Sequence, residues 1–141
     1  MAKEPIFSID TNGNKIWRLN GLLHREDGPA VEYPNGSKEW YLNDERHRED
    51  GPAIEFPDGR KEWWVNGKLH RKDGPAIIDA TGRQEWWVNG KVHREDGPAI
   101  ECPDDGKDWW LNGRRYNLDG WLNRNTKLSD EEKVMMKLTY G

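Results

Sequence analysis

The sequence predicts an all-β tandem-repeat protein, an elongated, twisted and coiling antiparallel meander of five 23-residue units closed by a short C-terminal α-helix. Three observations predict it. Trp17, Trp40, Trp63, Trp86 and Trp109 lie 23 residues apart, and Asn20, Asn43, Asn66, Asn89 and Asn112 keep the same interval. Two kinds of hairpin turn recur within the interval. Residues that those turns place opposite one another carry complementary charge. A fixed period of this length marks a stack in which each unit contacts only its neighbours.

Taken in chain order, residues 1–9, Phe7 among them, are expected to cover the first open edge. The unit that follows reads W-x-[LV]-N-G-x-x-H-R-x-D-G-P-A-[VI]. Asn20-Gly21, Asn66-Gly67, Asn89-Gly90 and Asn112-Gly113 suit a two-residue type I′ turn, in which both residues take positive φ; Asp44 stands in for the glycine in the second unit. Pro34-Asn35-Gly36 and Pro57-Asp58-Gly59 suit a type I turn closing into a glycine bulge. Asp27-Gly28-Pro29 and its copies make the corner between units, because proline ends strand pairing.

These turns set a register. Trp17 faces His24, Trp40 His47, Trp63 His70, and Trp86 His93. One position further out, Glu39 is expected opposite Arg48, Glu62 opposite Arg71 and Glu85 opposite Arg94, with a like-charge exception at Lys61 and Lys72. The second hairpin places Glu32 opposite Lys38, Glu55 opposite Lys61 and Glu101 opposite Lys107; in the fourth unit both members change together, to Ile78 and Gln84. Each unit is then a three-stranded meander of about four to six residues per strand. One face carries Ala30, Trp40 and His47, the core column; the other carries Val31, Glu39, Tyr41 and Arg48.

The array is expected over residues 1–128, its last unit degenerate, with Tyr116 for His and Trp121 for Pro. Ser129-Asp130-Glu131-Glu132 opens a helix over 129–141 in the same single domain, with Val134, Met135 and Leu138 on the side that caps the last edge.

Apolar residues make up 33% of the chain and charged residues 34%, so the nine tryptophans supply the core material that aliphatic residues do not. The net charge of −4 gives no overall attraction to nucleic acid or an anionic membrane. Cys102 is the single cysteine and forms no internal disulfide. No apolar run reaches membrane-spanning length, and Met1 to Asn12 holds no leader pattern, so a cytoplasmic location is expected.

Four histidines near aspartates invite a metal or acid–base reading. Equivalent residues in successive units stand roughly 10–14 Å apart, too far to share an ion whose ligands each come within about 2 Å. Repeated copies of one constellation also differ from a catalytic site, which is single and set in unlike residues. His is therefore expected to stack on its facing Trp, with the Asp three residues later accepting from the imidazole or capping the turn. No cofactor, metal or catalytic residue is expected.

With W-x-N-G-x-x-H and a later P-[DN]-G at this spacing, residues from Trp17 to about Gly120 resemble the MORN repeat, a β-hairpin repeat of elongated single-layer sheets. The unit is still more similar to an H-R-x-D-G-P-A variant seen in proteins of bacteriophages and large DNA viruses. The resemblance implies a docking or dimerisation scaffold. It also implies a phage-type accessory protein that binds and modulates a host protein such as a defence factor, in the host cytoplasm.

A second column, Arg18, Tyr41, Trp64, Trp87 and Trp110, grows more aromatic along the chain. Tyr41, Trp64, Trp87 and Trp110, together with Arg48, Arg71 and Arg94, are the expected partner-binding residues, the composition of interface hot spots. The expected partner is a protein, with a homodimer also open; the alternative is a nucleotide, glycan or single-stranded nucleic acid stacked on the same residues. A second buried layer on this face is the competing reading.

Overall fold

A computed structural model describes residues 3–141; of the expected N-terminal cover, Met1 and Ala2 lie outside the described residues. The fold is the expected all-β meander, with eighteen strands and two helices among the described residues. It opens with β1 (Ile6–Ile9), β2 (Lys15–Leu19) and β3 (Leu22–Leu23). The second unit supplies β4 (Val31–Glu32), β5 (Lys38–Glu39), β6 (Tyr41–Leu42) and β7 (Glu45–Arg46). The same four recur as β8 (Ile54–Glu55), β9 (Lys61–Glu62), β10 (Trp64–Val65) and β11 (Lys68–Leu69), and again as β12 (Ile77–Ile78), β13 (Gln84–Glu85), β14 (Trp87–Val88) and β15 (Lys91–Val92). The last strands are β16 (Ile100–Glu101), β17 (Lys107–Leu111) and β18 (Arg114–Tyr116).

In three units the long central strand divides at its tryptophan. Trp40 N–H donates to Ala53 O while Trp40 O accepts from His47 N–H, so the residue serves two ladders and its neighbours separate into them. One half of each strand joins a 12-stranded antiparallel sheet in the order β1-β2-β4-β5-β8-β9-β12-β13-β16-β17-β18, with β3 also paired to β2. The other halves form the hairpins β6–β7, β10–β11 and β14–β15. Arg48 N–H donates to Trp64 O and Gly67 N–H to Arg46 O, which stitches each hairpin to the next. Both tiers therefore run along the whole array, at about 10 Å per unit for two strand spacings.

The turns form as expected. Asn43 and Asp44 take φ of 49° and 67°, so the aspartate adopts the left-handed conformation that glycine takes in the other units. An additional copy of the second turn lies at Asp10–Asn14, where Asp10 N–H donates to Asn14 O as Tyr33 N–H does to Ser37 O. The array thus begins half a unit before Trp17, and β1 is that half-unit. Its Phe7 packs on Trp17 with ring centroids 4.9 Å apart, as expected of a cover.

The second-hairpin register is as expected, with Glu32 facing Lys38, Glu55 facing Lys61, Glu101 facing Lys107 and Ile78 facing Gln84. It extends between units, so that Lys15, Glu32, Lys38, Glu55 and Lys61 form one row of alternating charge. The first hairpin needs correction beyond its Trp–His pair. Glu39 lies between Val31 and Ile54 rather than opposite Arg48, and Lys61 faces Ile78, which removes the like-charge exception with Lys72. The reason is that Arg48 leaves its own hairpin to bond the next unit through Trp64 O.

Along the array the core is aliphatic and thin, and at the C-terminal end Trp109, Trp121 and Leu122 form a buried cluster. Ala30, Ala53, Ala76 and Ala99 have no exposed surface, and Val31, Ile54, Ile77 and Ile100 are buried beside them. The repeated tryptophans are not the continuous core column expected: Trp109 is buried, while Trp17, Trp40, Trp63 and Trp86 are half-buried.

The C-terminal end also departs from expectation. A helix α1 (Leu118–Arg124) precedes the expected one, α2 (Asp130–Tyr140). Asn117 caps α1, and Trp121 N–H donates to Asn117 O at 2.9 Å, a bond the prolines of other units cannot make. Trp121 is fully buried, packs 4.8 Å from Trp109 and donates from its indole to Arg94 O. Ser129 caps α2 as expected, but Val134, Met135 and Leu138 point to solvent. Met136 and Tyr140 face the array instead.

Candidate functional site

The histidine and arginine of every complete repeat are engaged within the fold, which narrows where a partner can bind. The four histidines join units: Nδ1 of His24, His47, His70 and His93 accepts from backbone N–H of Asn43, Asn66, Asn89 and Asn112, at 2.9–3.2 Å. This bond needs an unprotonated Nδ1, so the proton of the neutral ring sits on Nε2. Nε2 lies 3.7, 3.5 and 3.1 Å from Glu26, Glu49 and Glu95. The expected partner of the imidazole, the aspartate three residues on, is bonded elsewhere.

That aspartate serves the arginine. Nε of Arg25, Arg48 and Arg94 donates to Asp27, Asp50 and Asp96 at 2.8–3.0 Å, and Arg71 stands 3.9 Å from Asp73. Nη1 of each arginine donates to the carbonyl of Pro29, Pro52, Pro75 or Pro98. Each guanidinium lies over the repeated tryptophan of its own unit, its Cζ 3.8–4.0 Å from the ring centroid. The glycine of Asp-Gly-Pro closes the far side: a Cβ on Gly51 would stand 2.9 Å from Arg48 Cζ. The motif H-R-x-D-G-P-A is thus one joint, an arginine held between an indole and a glycine with its donors shared among Asp, Pro and, in three units, a glutamate.

The expected binding residues divide between two faces. Arg48, Arg71 and Arg94 lie with Trp40, Trp63 and Trp86, which floor shallow grooves between successive Arg-x-Asp-Gly loops; the groove holding Trp40 and His47 measures about 760 Å³. Tyr41, Trp64, Trp87 and Trp110 lie on the other side, above the row Val31–Glu39–Ile54–Glu62 and its continuation. Tyr41 Oη donates to Glu39 at 2.6 Å, and the indoles of Trp64 and Trp87 donate to Glu62 and Glu85 at 2.9 and 3.0 Å. Burial, and then the bond to Glu39, raises the Tyr41 hydroxyl far above its ordinary pKa. Trp110 Nε1 is buried without a partner, because the equivalent acid is the shorter Asp108, which Arg115 engages.

These four aromatics are half-buried, neither a free stripe nor a closed layer. Arg46 was not among the expected residues. Its guanidinium lies 5.8 Å from the Tyr41 ring centroid and 5.2 Å from that of Trp64, which adds a cation to a face where Arg60 and Arg83 already pair with Glu62 and Glu85. A signal was available: three units carry the apolar Leu23, Leu69 and Val92 at this position, whereas Arg46 and Arg115 break that pattern.

No family model matches the chain, and no curated protein matches it in sequence. Among the described residues, no group of three or more His, Cys, Asp or Glu is placed to hold a metal ion, and no helix is long and apolar enough to cross a membrane.

Proposed function

We propose that the chain is a non-catalytic binding module that takes a protein partner along the Tyr41–Trp64–Trp87–Trp110 face. The observation that carries this reading is the combination of exposure and fixity in that row. Part of each ring is open to solvent, while three of the four ring donors are pinned by a glutamate two residues earlier. Large aromatic surfaces held in one rotamer lose little entropy on binding, which is the property of interface anchors. Arg46 adds a planar donor between Tyr41 and Trp64.

The rival reading, a nucleotide, glycan or nucleic-acid strand stacked between tryptophans and arginines, needs Arg48, Arg71 and Arg94 beside these rings. They are stacked on the other face, with side chains only 20–27% exposed. Similarity of the H-R-x-D-G-P-A unit to phage and large-virus proteins supports an accessory role in the host cytoplasm, directed at a host protein such as a defence factor. That similarity is one of fold, and it names no target.

Affinity capture from a bacterial lysate, compared between the native chain and Trp110→Ala, tests the reading. The Trp110 side chain has no hydrogen bond to lose, so this variant should lower the denaturation midpoint less than Trp64→Ala does, while its partner dissociates about 30-fold more readily, the roughly 2 kcal/mol of a hot-spot residue. Undiminished partner retention by both this variant and Trp64→Ala would overturn it.

A further inference from the structure

We propose that a second copy of this chain covers the outer face of α2, in an antiparallel pair related by a two-fold axis. The inference is independent of the aromatic row and rests on where apolar surface remains uncovered. Among the described residues, the exposed large apolar side chains are Ile6, Phe7, Ile9 and Leu22 at the first end of the array, and Val134, Met135, Leu138 and Tyr140 in α2. Units two to five contribute none. Stacking has covered the middle of the array, and what remains lies at its ends.

The outer face of α2 is the more open of the two. Val134, Met135 and Leu138 are 59%, 61% and 76% exposed, although the helix is already held from the inside by Met136 and by Tyr140 edge-on to Trp109. At about 100° per residue the three fall within one arc of roughly 100°, with Glu131 inside the same arc. A helix needing only its inner contacts would have no use for three large apolar residues on its outer side.

Charge selects the occupant. Asp130 and Lys137 stand seven residues apart on one flank of that arc. In an antiparallel pair each flank meets its own copy reversed, so Asp130 of one chain approaches Lys137 of the other, and the acidic first turn of each helix lies beside the last turn of its partner. A parallel pair would bring like charges together. The face is thus complementary to itself in one orientation. An 11-residue helix offers a small interface, about 16 Å long, so the pair should be weak, with Kd on the order of 10–100 µM.

Sedimentation equilibrium of the full chain tests this. The average mass should rise from 16.5 kDa toward twice that value as concentration passes from about 1 to about 500 µM. Leu138→Glu should stay monomeric throughout with an unchanged melting temperature. Lys137→Glu should weaken the pair about tenfold, and Asp130→Lys added to it should restore the pair. Asp119→Asn removes the internal partner that Lys137 holds at 3.0 Å and should leave association unchanged. A mass of 16.5 kDa at every concentration would overturn the proposal. So would a dimer that survives Leu138→Glu but is abolished by Ile9→Glu, which would place the contact on β1.

Discussion

Arg48 shows how one residue's surroundings decide its role. It stacks on Trp40, donates to Asp50, Pro52 O and Glu55, and is closed in by Gly51. Gly51→Ala should force the guanidinium from this slot and lower stability by about 1–2 kcal/mol in urea denaturation, and in an Arg48→Ala background the same change should cost much less. Gly74→Ala should cost less than Gly51→Ala, because Arg71 has Ile78 where the other units have glutamate and stands 3.9 Å from Asp73. Equal losses at the two glycines would show that the backbone, not the arginine, requires them. Tyr41 supplies a pH dependence. Its folded pKa is raised above the ordinary 10, so the folded state holds this proton more tightly than the unfolded chain. The stabilisation is complete below about pH 10 and is lost as pH rises through the raised value. Denaturation midpoints from pH 8 to 11 should fall less steeply for Tyr41→Phe than for the native chain.

At the level of elements, the two terminal helices do different work. Trp121 of α1 is fully buried against Trp109, whereas α2 contains no buried residue. Trp121→Ala should destabilise the protein by about 3–5 kcal/mol, while deletion of 129–141 should cost far less, removing the edge contact of Tyr140, the partial cover by Met136 and the exposed Lys137–Asp119 ion pair. Thermal melts of the two variants side by side check the order; the reverse ranking would make α2 the cap. The capping box of α2 was legible in Ser129 and Glu132, since that signal is local. α1 was not legible, because Asp119-Gly120 reads as another corner of the repeat. The exchange of proline for Trp121 was visible, but its effect depends on a free N–H meeting Asn117 O.

For the molecule as a whole, stability should be nearly a sum over units and their joints. Each joint includes one histidine acceptor and two backbone bonds from hairpin to hairpin, such as those donated by Arg48 and Gly67. Deleting residues 64–86, one whole period, should leave a cooperative fold with a lower denaturation midpoint. Deleting 64–85 should give a far less stable chain, because a shift of one residue moves every side chain beyond it to the other face. Circular dichroism with a urea titration distinguishes the two, and similar midpoints would mean that the register is not locked by the faces.

The sequence by itself determined the period, both turn types, the Trp–His pairs and the Glu–Lys ladder of the second hairpin, because each follows from residues close along the chain. Asn-Gly pairs and Pro-Asp-Gly set backbone angles locally, and a two-residue turn then dictates which positions face. Only the tertiary structure decided where the chain leaves its hairpin after His47, and with that the face on which Arg48, Arg71 and Arg94 lie. It also decided that a thin row of alanine, valine and isoleucine, rather than the tryptophan column, forms the core, and that Val134, Met135 and Leu138 turn outward. In each case the deciding partner sits in another unit or at another level of the stack: Trp64 O for Arg48 N–H, Asn66 N–H for His47, and Trp109 for Tyr140. Local periodicity records that a residue alternates from face to face. Which face is covered depends on what the stack lays over it.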